Sequence, residues 1–203
     1  MKDLIMETYI IRQIEAFEYS IVRKLDREAF AKNERNSDGE LHEIFADNVR
    51  KSPFFIKELD LVAIFSNDNI IGHGIFSKLP MGDNGNNIIW LNSLAVKHGL
   101  KDNHSEKKYE FQRKGIGTAI VQYGLKIAKS LGYSGCMTCG HPDVYRKKMS
   151  FKNYLELGIK KDSSVDDPDG AIHAIEFVPN AFDETNKILS FLHYNFVTGK
   201  IEK

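Results

Sequence analysis

The feature that most constrains the fold of this chain is a pair of glycines, Gly115 and Gly117, at the start of its clearest helical pattern. Apolar residues recur at the spacing of one helix face from Ile116 to Leu131, and Gly132 follows as a stop signal. The first turn of a helix carries unpaired backbone N–H groups and a partial positive charge. Glycines here remove the Cβ atoms that would keep an anion away from those groups. The pattern therefore predicts a phosphate-binding turn that opens a helix.

Two common phosphate-binding motifs do not fit these glycines. The dinucleotide fingerprint needs a third glycine at the position of Ile120. A P-loop needs Gly-Lys followed by Ser or Thr, and the chain has no such sequence. Because short glycine motifs often occur by chance, spacing alone leaves open a glycine-rich loop that merely begins a helix.

The rest of the chain alternates between strand and helix patterns. Strands are predicted at residues 8–14, 59–65, 70–76, 88–96, 133–138, 171–178 and 191–196. Helices are predicted at 21–29, 44–49 and 116–131, with Ser20 as the first N-cap and a further helix before the last two strands. A mixed sheet flanked by helices is the natural packing of this order. We expect a single domain that covers residues 1–203.

The composition disfavours several classes of function. The 28 basic and 28 acidic side chains give a formal net charge of zero, which argues against a nucleic-acid or membrane-surface binder. The chain has no apolar run of about 18 residues, so a membrane-spanning helix is excluded. The N-terminal residues show no signal-peptide pattern and only two cysteines occur, so we expect a cytoplasmic location.

The two cysteines, Cys136 and Cys139, form a CxxC pair, which occurs in zinc and redox sites. A structural zinc site needs two more ligands, and a second CxxC is absent. A redox pair usually opens a helix, whereas this one falls in a β-rich run. His42-Glu43 also lacks the second His of the HExxH pattern. We therefore expect buried strand cysteines and no metal.

The glycine turn and its surroundings resemble a known family. The GNAT superfamily of acyl-CoA N-acyltransferases has the pattern Gln/Arg-x-x-Gly-x-Gly/Ala, which is matched by Gln112-Arg113-Lys114-Gly115-Ile116-Gly117-Thr118. The preceding Leu94-Ala95-Val96 resembles the family's strand before that turn. Further similar segments are 61–63, 71–75, 140–142, Tyr145 with Phe151, and 168–179. The resemblance spans most of the chain, and its order agrees with the elements read from periodicity.

The resemblance implies a fold and a reaction. The fold is a central mixed, mostly antiparallel sheet of about seven strands flanked by helices. Acetyl-CoA is the expected co-substrate, with its pyrophosphate on the N–H groups of Gln112–Thr118 and its pantetheine along Leu94–Val96. A backbone N–H near Leu94 or Ala95 would polarise the thioester carbonyl. The acceptor is then a primary amine of a small molecule or peptide, which attacks directly in a ternary complex.

The resemblance also implies that Tyr145 is the general acid that protonates the departing sulfur. The family's usual ending is Tyr-x-x-x-Gly-Phe, but here Ser150 replaces the glycine and Phe151 lies one residue further from the tyrosine. Three alternatives therefore stay open: the helix is shifted, Arg146 takes the acid's place, or Tyr145 only packs in the core.

The sequence leaves the rest of the acceptor side open. The side chains considered as general base are His73, Asn92, Ser93 and His98, none of which is favoured over a water chain. Residues 97–110 are expected to form a polar loop. A homodimer through the C-terminal strands is plausible. The alternative function is a catalytically weak acyl-CoA-binding or regulatory domain.

Overall fold

The computed structural model describes residues 9–31, 39–66, 68–79, 81, 87–101, 108–165, 167, 170–183 and 188–190. The helices are α1 (Tyr19–Ala31), α2 (Glu40–Lys51), α3 (Ile116–Ser130) and α4 (Pro142–Met149), with short 3-10 turns at Ala16–Glu18 and Tyr154–Leu157. The strands are β1 (Ile10–Gln13), β2 (Phe55–Phe65), β3 (Asn69–Lys78), β4 (Ile88–Val96), β5 (Gly99–Lys101), β6 (Lys108–Glu110), β7 (Gly135–Cys139), β8 (Lys152–Asn153), β9 (Lys160–Lys161), β10 (Ile172–Glu176) and β11 (Ile188–Leu189).

The main sheet has seven strands in the order β1-β2-β3-β4-β7-β10-β8. Its neighbours pair antiparallel except β4 and β7, which are parallel and linked through α3. This confirms the expected mixed, mostly antiparallel sheet flanked by helices. The parallel register runs from Ile88 opposite Gly135 to Leu91 opposite Thr138, while β4 continues to Val96. The pairing of β4 with β7 therefore ends in the middle of the sheet, near the C-terminal end of β7, and the last part of β4 extends beyond it.

Helices cover the two faces of the sheet. On one face α3 and α4 pack through an apolar cluster that includes Ile120 and Tyr145. A Cβ at Gly72 or Gly74 would lie 2.8 or 2.7 Å from the Ile120 side chain, so the glycines of β3 let α3 approach the sheet closely. On the other face, α1 and α2 bury the apolar residues that recur on one side of each helix.

A buried charge network joins α1 and α2 to their face of the sheet. His73 of β3 is fully buried, with Nδ1 3.0 Å from Asp26 of α1 and Nε2 3.0 Å from Asp60 of β2. Arg50 of α2 donates from Nε to Asp60 at 2.7 Å, and its guanidinium lies 4.0 Å from the centre of the Tyr19 ring. Burial alone would lower the pKa of His73, but the two carboxylates outweigh it and raise that pKa to about 9.

Several expectations about local structure were wrong. Ser20 is not an N-cap, because α1 already begins at Tyr19, after a 3-10 turn closed by a capping box between Glu15 and Glu18. Residues 97–110 are not wholly loop, since β5 and β6 pair antiparallel within them. Cys136 is buried as expected, but Cys139 is exposed because it is the last residue of β7.

The remaining boundaries agree closely with the patterns. The helices predicted at 44–49 and 116–131 correspond to α2 and α3, and the helix expected before the last strands is α4. The strand predicted at 59–65 begins earlier, at Phe55. Lys57 and Glu58 interrupt the apolar pattern of this strand but do not end it. The strand predicted at 191–196 lies outside the described residues.

Candidate active site

The predicted phosphate turn has the backbone that an anion site requires. Gly115 is the N-cap of α3 and adopts a left-handed conformation with φ 86°, which glycine takes without strain. Arg113 is also left-handed, at φ 60°. Because the N-cap is a glycine, no side chain lies over the first N–H groups of α3. Those N–H groups are available to an anion at the turn.

A cleft of about 330 Å³ opens at this turn. It brings together most of the residues predicted for the donor site, namely Leu94, Ala95, Val96, Gln112, Arg113, Gly115, Ile116, Gly117 and Thr118. The exposed Lys114 belongs to the same turn but is not among the cleft-lining residues in the described part of the chain. The turn at Gly115 and the end of β4 therefore share one cavity.

The cleft lies beside the segment of β4 that extends past its register with β7. Thr138 Oγ1 donates to the Leu91 carbonyl at 3.2 Å, at the last position where the two strands are in register. Beyond this point Leu94–Val96 line the cleft. The Gln112 side chain ties the turn to this segment, since its Nε2 donates to the Val96 carbonyl at 3.3 Å. A strand edge freed of its neighbour can offer backbone N–H and C=O groups to an extended ligand.

Five further residues line the cleft: Phe111, which directly precedes the predicted turn, and four residues from two helices. Ala29 and Phe30 come from α1, and Val144 and Lys148 come from α4. Both α4 residues lie in the helix that carries Tyr145, whereas α1 covers the opposite face of the sheet. No local sequence signal marks Ala29, Phe30 or Val144, because tertiary packing alone brings them to the cleft. Lys148 and Arg113 add positive charge near the turn.

Tyr145 lies behind the cleft rather than in its lining. Its ring is buried and makes an edge-on contact with Phe151 at 5.7 Å. The ring also packs so closely on Gly140 that a Cβ there would come within 2.4 Å of it. Burial raises the pKa of Tyr145 to about 12, against a smaller opposing effect of its hydrogen bond with Thr138. The phenol therefore keeps its proton through the neutral range, and it lies next to the residue where the register of β4 and β7 ends.

Arg146 points to a different part of the fold. Its Nε donates to His173 Nδ1 at 3.2 Å, and its terminal nitrogen donates to the Gly170 carbonyl at 2.9 Å. His173 Nε2 in turn donates to the Gly140 carbonyl at 2.9 Å, and burial lowers the pKa of this histidine. The guanidinium thus secures the start of α4 against β10.

Ser150 reproduces the backbone expected of the glycine that it replaces. It is the C-cap of α4 with φ 61°, a left-handed conformation that favours glycine. The next residue, Phe151, donates its backbone N–H to the Tyr145 carbonyl at 3.1 Å. The departure from the family's pattern therefore leaves a tight helix end, with Phe151 folded back onto Tyr145.

Membrane and metal features are absent from the described ranges. None of the helices there combines the length and the apolar character needed to cross a bilayer. Nor do the described side chains include a group of three or more His, Cys, Asp or Glu residues placed to hold a metal ion.

Comparisons with known proteins agree with this architecture. The sequence profile of the acetyltransferase (GNAT) family matches residues 19–149, and the chain belongs to this family. No curated protein sequence matches the chain.

Solved structures show the same fold. A GNAT family N-acetyltransferase (YhbS) from Escherichia coli in complex with CoA superposes with a TM-score of 0.70 at 18% identity, covering 92% of each chain. A GNAT family acetyltransferase from Brucella melitensis in complex with acetyl-CoA gives a TM-score of 0.62 at 21% identity, covering 85% of this chain and 90% of that one. At these identities the likeness concerns the fold alone.

Proposed function

We propose that this chain transfers the acetyl group of acetyl-CoA to a primary amine of a small molecule or peptide. The observation that carries the proposal is the shared cleft, in which the first turn of α3 lies beside the segment of β4 that has left β7. Family membership and two similar folds that hold CoA or acetyl-CoA support the same donor.

The donor lies along the cleft from the turn to the sheet. Backbone N–H groups between Gln112 and Thr118 hold the pyrophosphate, because the helix N-terminus and its glycines favour a close anion. Arg113 and Lys148 add charge for the phosphates. The pantetheine arm then runs along Leu94–Val96 as an added strand, which places the thioester near the end of the β4–β7 register.

The chemistry is a direct transfer between two bound substrates. The amine nitrogen attacks the thioester carbonyl carbon, and the oxyanion that forms accepts a hydrogen bond from a backbone N–H near Leu94 or Ala95. The carbon–sulfur bond then breaks, and Tyr145 gives its proton to the departing sulfur. The amide nitrogen releases its extra proton to a water chain. Solvent then restores the proton on Tyr145.

A second function is favoured by a specific observation. Among the cleft-lining residues that the structure describes, none is a His, Asp or Glu able to act as general base, and Tyr145 lies behind the lining. Such a cleft suits a catalytically weak domain that binds acyl-CoA and has a regulatory role. The acetyltransferase is preferred, because a water chain can carry the amine's proton without a protein base.

Titration calorimetry followed by a thiol-release assay distinguishes the two functions. The chain is titrated with acetyl-CoA and then assayed with 2-phenylethylamine, n-hexylamine, spermidine and a lysine-containing tripeptide. Binding with amine-dependent release of CoA is expected. Binding without release on any of these amines supports the weak acyl-CoA-binding domain, and absence of acetyl-CoA binding contradicts both functions.

We also propose the setting in which this reaction occurs. The chain is a single cytoplasmic domain of 203 residues that acts without a metal, a membrane or a nucleic acid. Its balanced charge supports this setting. A homodimer through the C-terminal residues is the proposed assembly, and sedimentation of the purified chain tests it.

A further inference from the structure

We propose that Asn92 and Ser93 bind the two N–H groups of the acceptor amine, an inference that rests on the proposed acetyltransferase function. Both residues belong to β4, directly before Leu94 and Ala95 of the cleft. Asn92 Oδ1 accepts one N–H and Ser93 Oγ accepts the other. The nitrogen lone pair is then free to face the thioester carbonyl.

A bulge in β4 sets these two residues apart from the rest of the strand. Ser93 lies opposite Ile75 of β3 and Leu91 lies opposite Phe76, so Asn92 is the extra residue between the two pairs. Bulges redirect side chains and are common beside active sites. This bulge directly follows Leu91, the last residue of β4 in register with β7. The strand is therefore irregular at the same point where the sheet opens.

The side chain of Asn92 has a fixed orientation. Its Nδ2 donates to Ser77 Oγ at 2.9 Å and to the Trp90 carbonyl at 3.1 Å. A carbonyl can only accept a hydrogen bond, so the amide nitrogen must lie on the side of Trp90. Oδ1 consequently points away from both partners, as a hydrogen-bond acceptor with no freedom to become a donor.

Two polar atoms at this bulge are buried without partners. Within the described residues, Asn92 Oδ1 and Ser93 Oγ are the buried side-chain oxygen or nitrogen atoms that make no hydrogen bond to another protein atom. Burying such an atom unpaired is costly, so native folds pair most buried polar atoms with protein, water or ligand atoms. The two atoms belong to adjacent residues. A ligand that donates two hydrogen bonds from one nitrogen satisfies both.

The position of the two residues agrees with that of an acceptor. Ser93 shares a sheet face with Ile75, which belongs to the same apolar cluster as Ala46 and Val49 of α2, and Asn92 reaches Ser77 on that face. The cleft also receives Ala29 and Phe30 from α1, which covers this face. A strand advances about 3.3 Å per residue, so Asn92 and Ser93 lie within about 10 Å of the proposed oxyanion donors. The acceptor thus approaches from the α1 and α2 side, while α3 carries the donor's phosphates.

This arrangement also defines the acceptor class. Asn92 Oδ1 cannot pair with a carboxylate or carbonyl oxygen, so it selects a hydrogen-bond donor. A primary amine supplies two N–H groups while its lone pair attacks, whereas a secondary amine supplies only one. In the transfer, the nitrogen–carbon bond forms and the carbon–sulfur bond breaks. One amine proton leaves through water and the sulfur takes a proton from Tyr145. We therefore expect primary amines to be strongly preferred over their N-methyl derivatives.

The test compares Asn92→Ala and Ser93→Ala with Ser77→Ala. The first two variants each remove one proposed acceptor, whereas the third removes a partner of the Asn92 amide and leaves both oxygens in place. The substrate is the amine with the highest turnover among 2-phenylethylamine, n-hexylamine, spermidine and the lysine tripeptide, used together with its N-methyl derivative. Calorimetry gives the Kd of acetyl-CoA for each variant, and thermal unfolding shows whether the bulge survives.

We expect a selective effect on the acceptor. Asn92→Ala and Ser93→Ala each raise the amine KM about threefold to tenfold, as expected for one lost hydrogen bond, and leave the Kd of acetyl-CoA near that of the wild type. Both variants also lower the preference for the primary over the N-methyl amine, a change that loosening of the strand alone would not produce. Ser77→Ala keeps the wild-type preference. Ser93→Ala decides the question if Asn92→Ala unfolds.

The other results overturn the inference. Unchanged KM and unchanged preference in Ser93→Ala remove these residues from the acceptor site while the acetyltransferase function stands. Equal losses in all three variants assign Asn92 to the bulge alone. If the wild type binds acetyl-CoA but turns over none of these amines, the proposed transfer fails first and the acceptor site fails with it.

Discussion

At the scale of single residues, the proposed donor site depends on backbone more than on side chains. Gly115 supplies a left-handed N-cap, and Gly117 lies where α3 meets β4. A Cβ at Gly117 would lie 3.4 Å from a Leu94 methyl group, which is ordinary contact. The fold therefore tolerates a Cβ at Gly117, while a phosphate bound at the proposed site would be crowded by a larger side chain there.

This difference gives a prediction for Gly117→Asp. The added carboxylate would face the pyrophosphate, and two unit charges about 4 Å apart repel by about 1–4 kcal/mol near a protein surface. We expect acetyl-CoA affinity to fall roughly one hundredfold, with little change in the thermal unfolding midpoint. Gly117→Ala is the control and should lose less affinity. Unchanged affinity in Gly117→Asp would remove the turn from the donor site.

Tyr145 gives a second prediction at this scale. Because its pKa is raised to about 12, the phenol is a proton donor and not a base at neutral pH. We expect Tyr145→Phe to lower turnover about one hundredfold, within the range of general acid catalysis, with the Kd of acetyl-CoA unchanged. Tyr154→Phe, which alters a buried tyrosine of another cluster, should keep its turnover. A wild-type rate in Tyr145→Phe would leave this residue a packing role only.

At the scale of elements, the network around His73 determines how α1 and α2 lie on the sheet. His73 contacts Asp26 of α1 and Asp60 of β2, and Arg50 of α2 closes the network onto Asp60. Two carboxylates and two cations thus meet in a dry interior, where loss of one member leaves unpaired charge. Since α1 also lines the cleft, this network supports one of its walls.

The network predicts a definite dependence of stability on pH. The pKa of His73 rises from 6.5 to about 9 on folding, so its contribution is fully present below pH 6.5 and is lost as pH rises through about 9. The shift corresponds to roughly 3 kcal/mol of unfolding free energy. Urea unfolding between pH 6 and 10 should show this loss in the wild type.

His73→Gln and His141→Asn provide the comparison for this measurement. His73→Gln should be less stable at pH 6 and flatter between pH 6.5 and 9, because the titrating group is gone. His141→Asn changes an exposed histidine that caps α4, and asparagine is also a good N-cap. It should follow the wild-type curve. If the unfolding free energy of His73→Gln falls with pH as steeply as that of the wild type, another group is titrating.

The helices and strands also show which parts of the structure could be predicted from the sequence. The turn at Gly115 and the helix after it were predictable, because glycine conformation and apolar spacing are local properties. The bulge at Asn92 and the place of Phe30 in the cleft were not, since both depend on which strands and helices meet. The prediction of Ser20 as an N-cap was wrong because Glu15 and Glu18 form a capping box before it, so the helical segment begins earlier. The partners of His73 were also not predictable, because Asp60 and Asp26 lie 13 and 47 residues away along the chain.

At the scale of the whole molecule, the proposed function depends on the separation of β4 from β7 in the middle of the sheet. The parallel register of β4 and β7 ends at Leu91 and Thr138, and the cleft lies beside the part of β4 beyond it. In the proposed reaction, the face covered by α3 supplies the anion site for the donor. The face covered by α1 and α2 supplies Asn92 and Ser93 for the acceptor. The two substrates then meet at the opening from opposite sides.

The most direct test of this account is a crystal structure of the chain with acetyl-CoA bound. We predict that the pyrophosphate contacts backbone N–H groups at Gly115 and Gly117 and that the pantetheine runs along Leu94–Val96. The thioester carbonyl should then lie within hydrogen-bonding distance of a backbone N–H at Leu94 or Ala95. An acetyl-CoA molecule whose phosphates lie away from this turn, or whose thioester lies away from β4, would contradict the account.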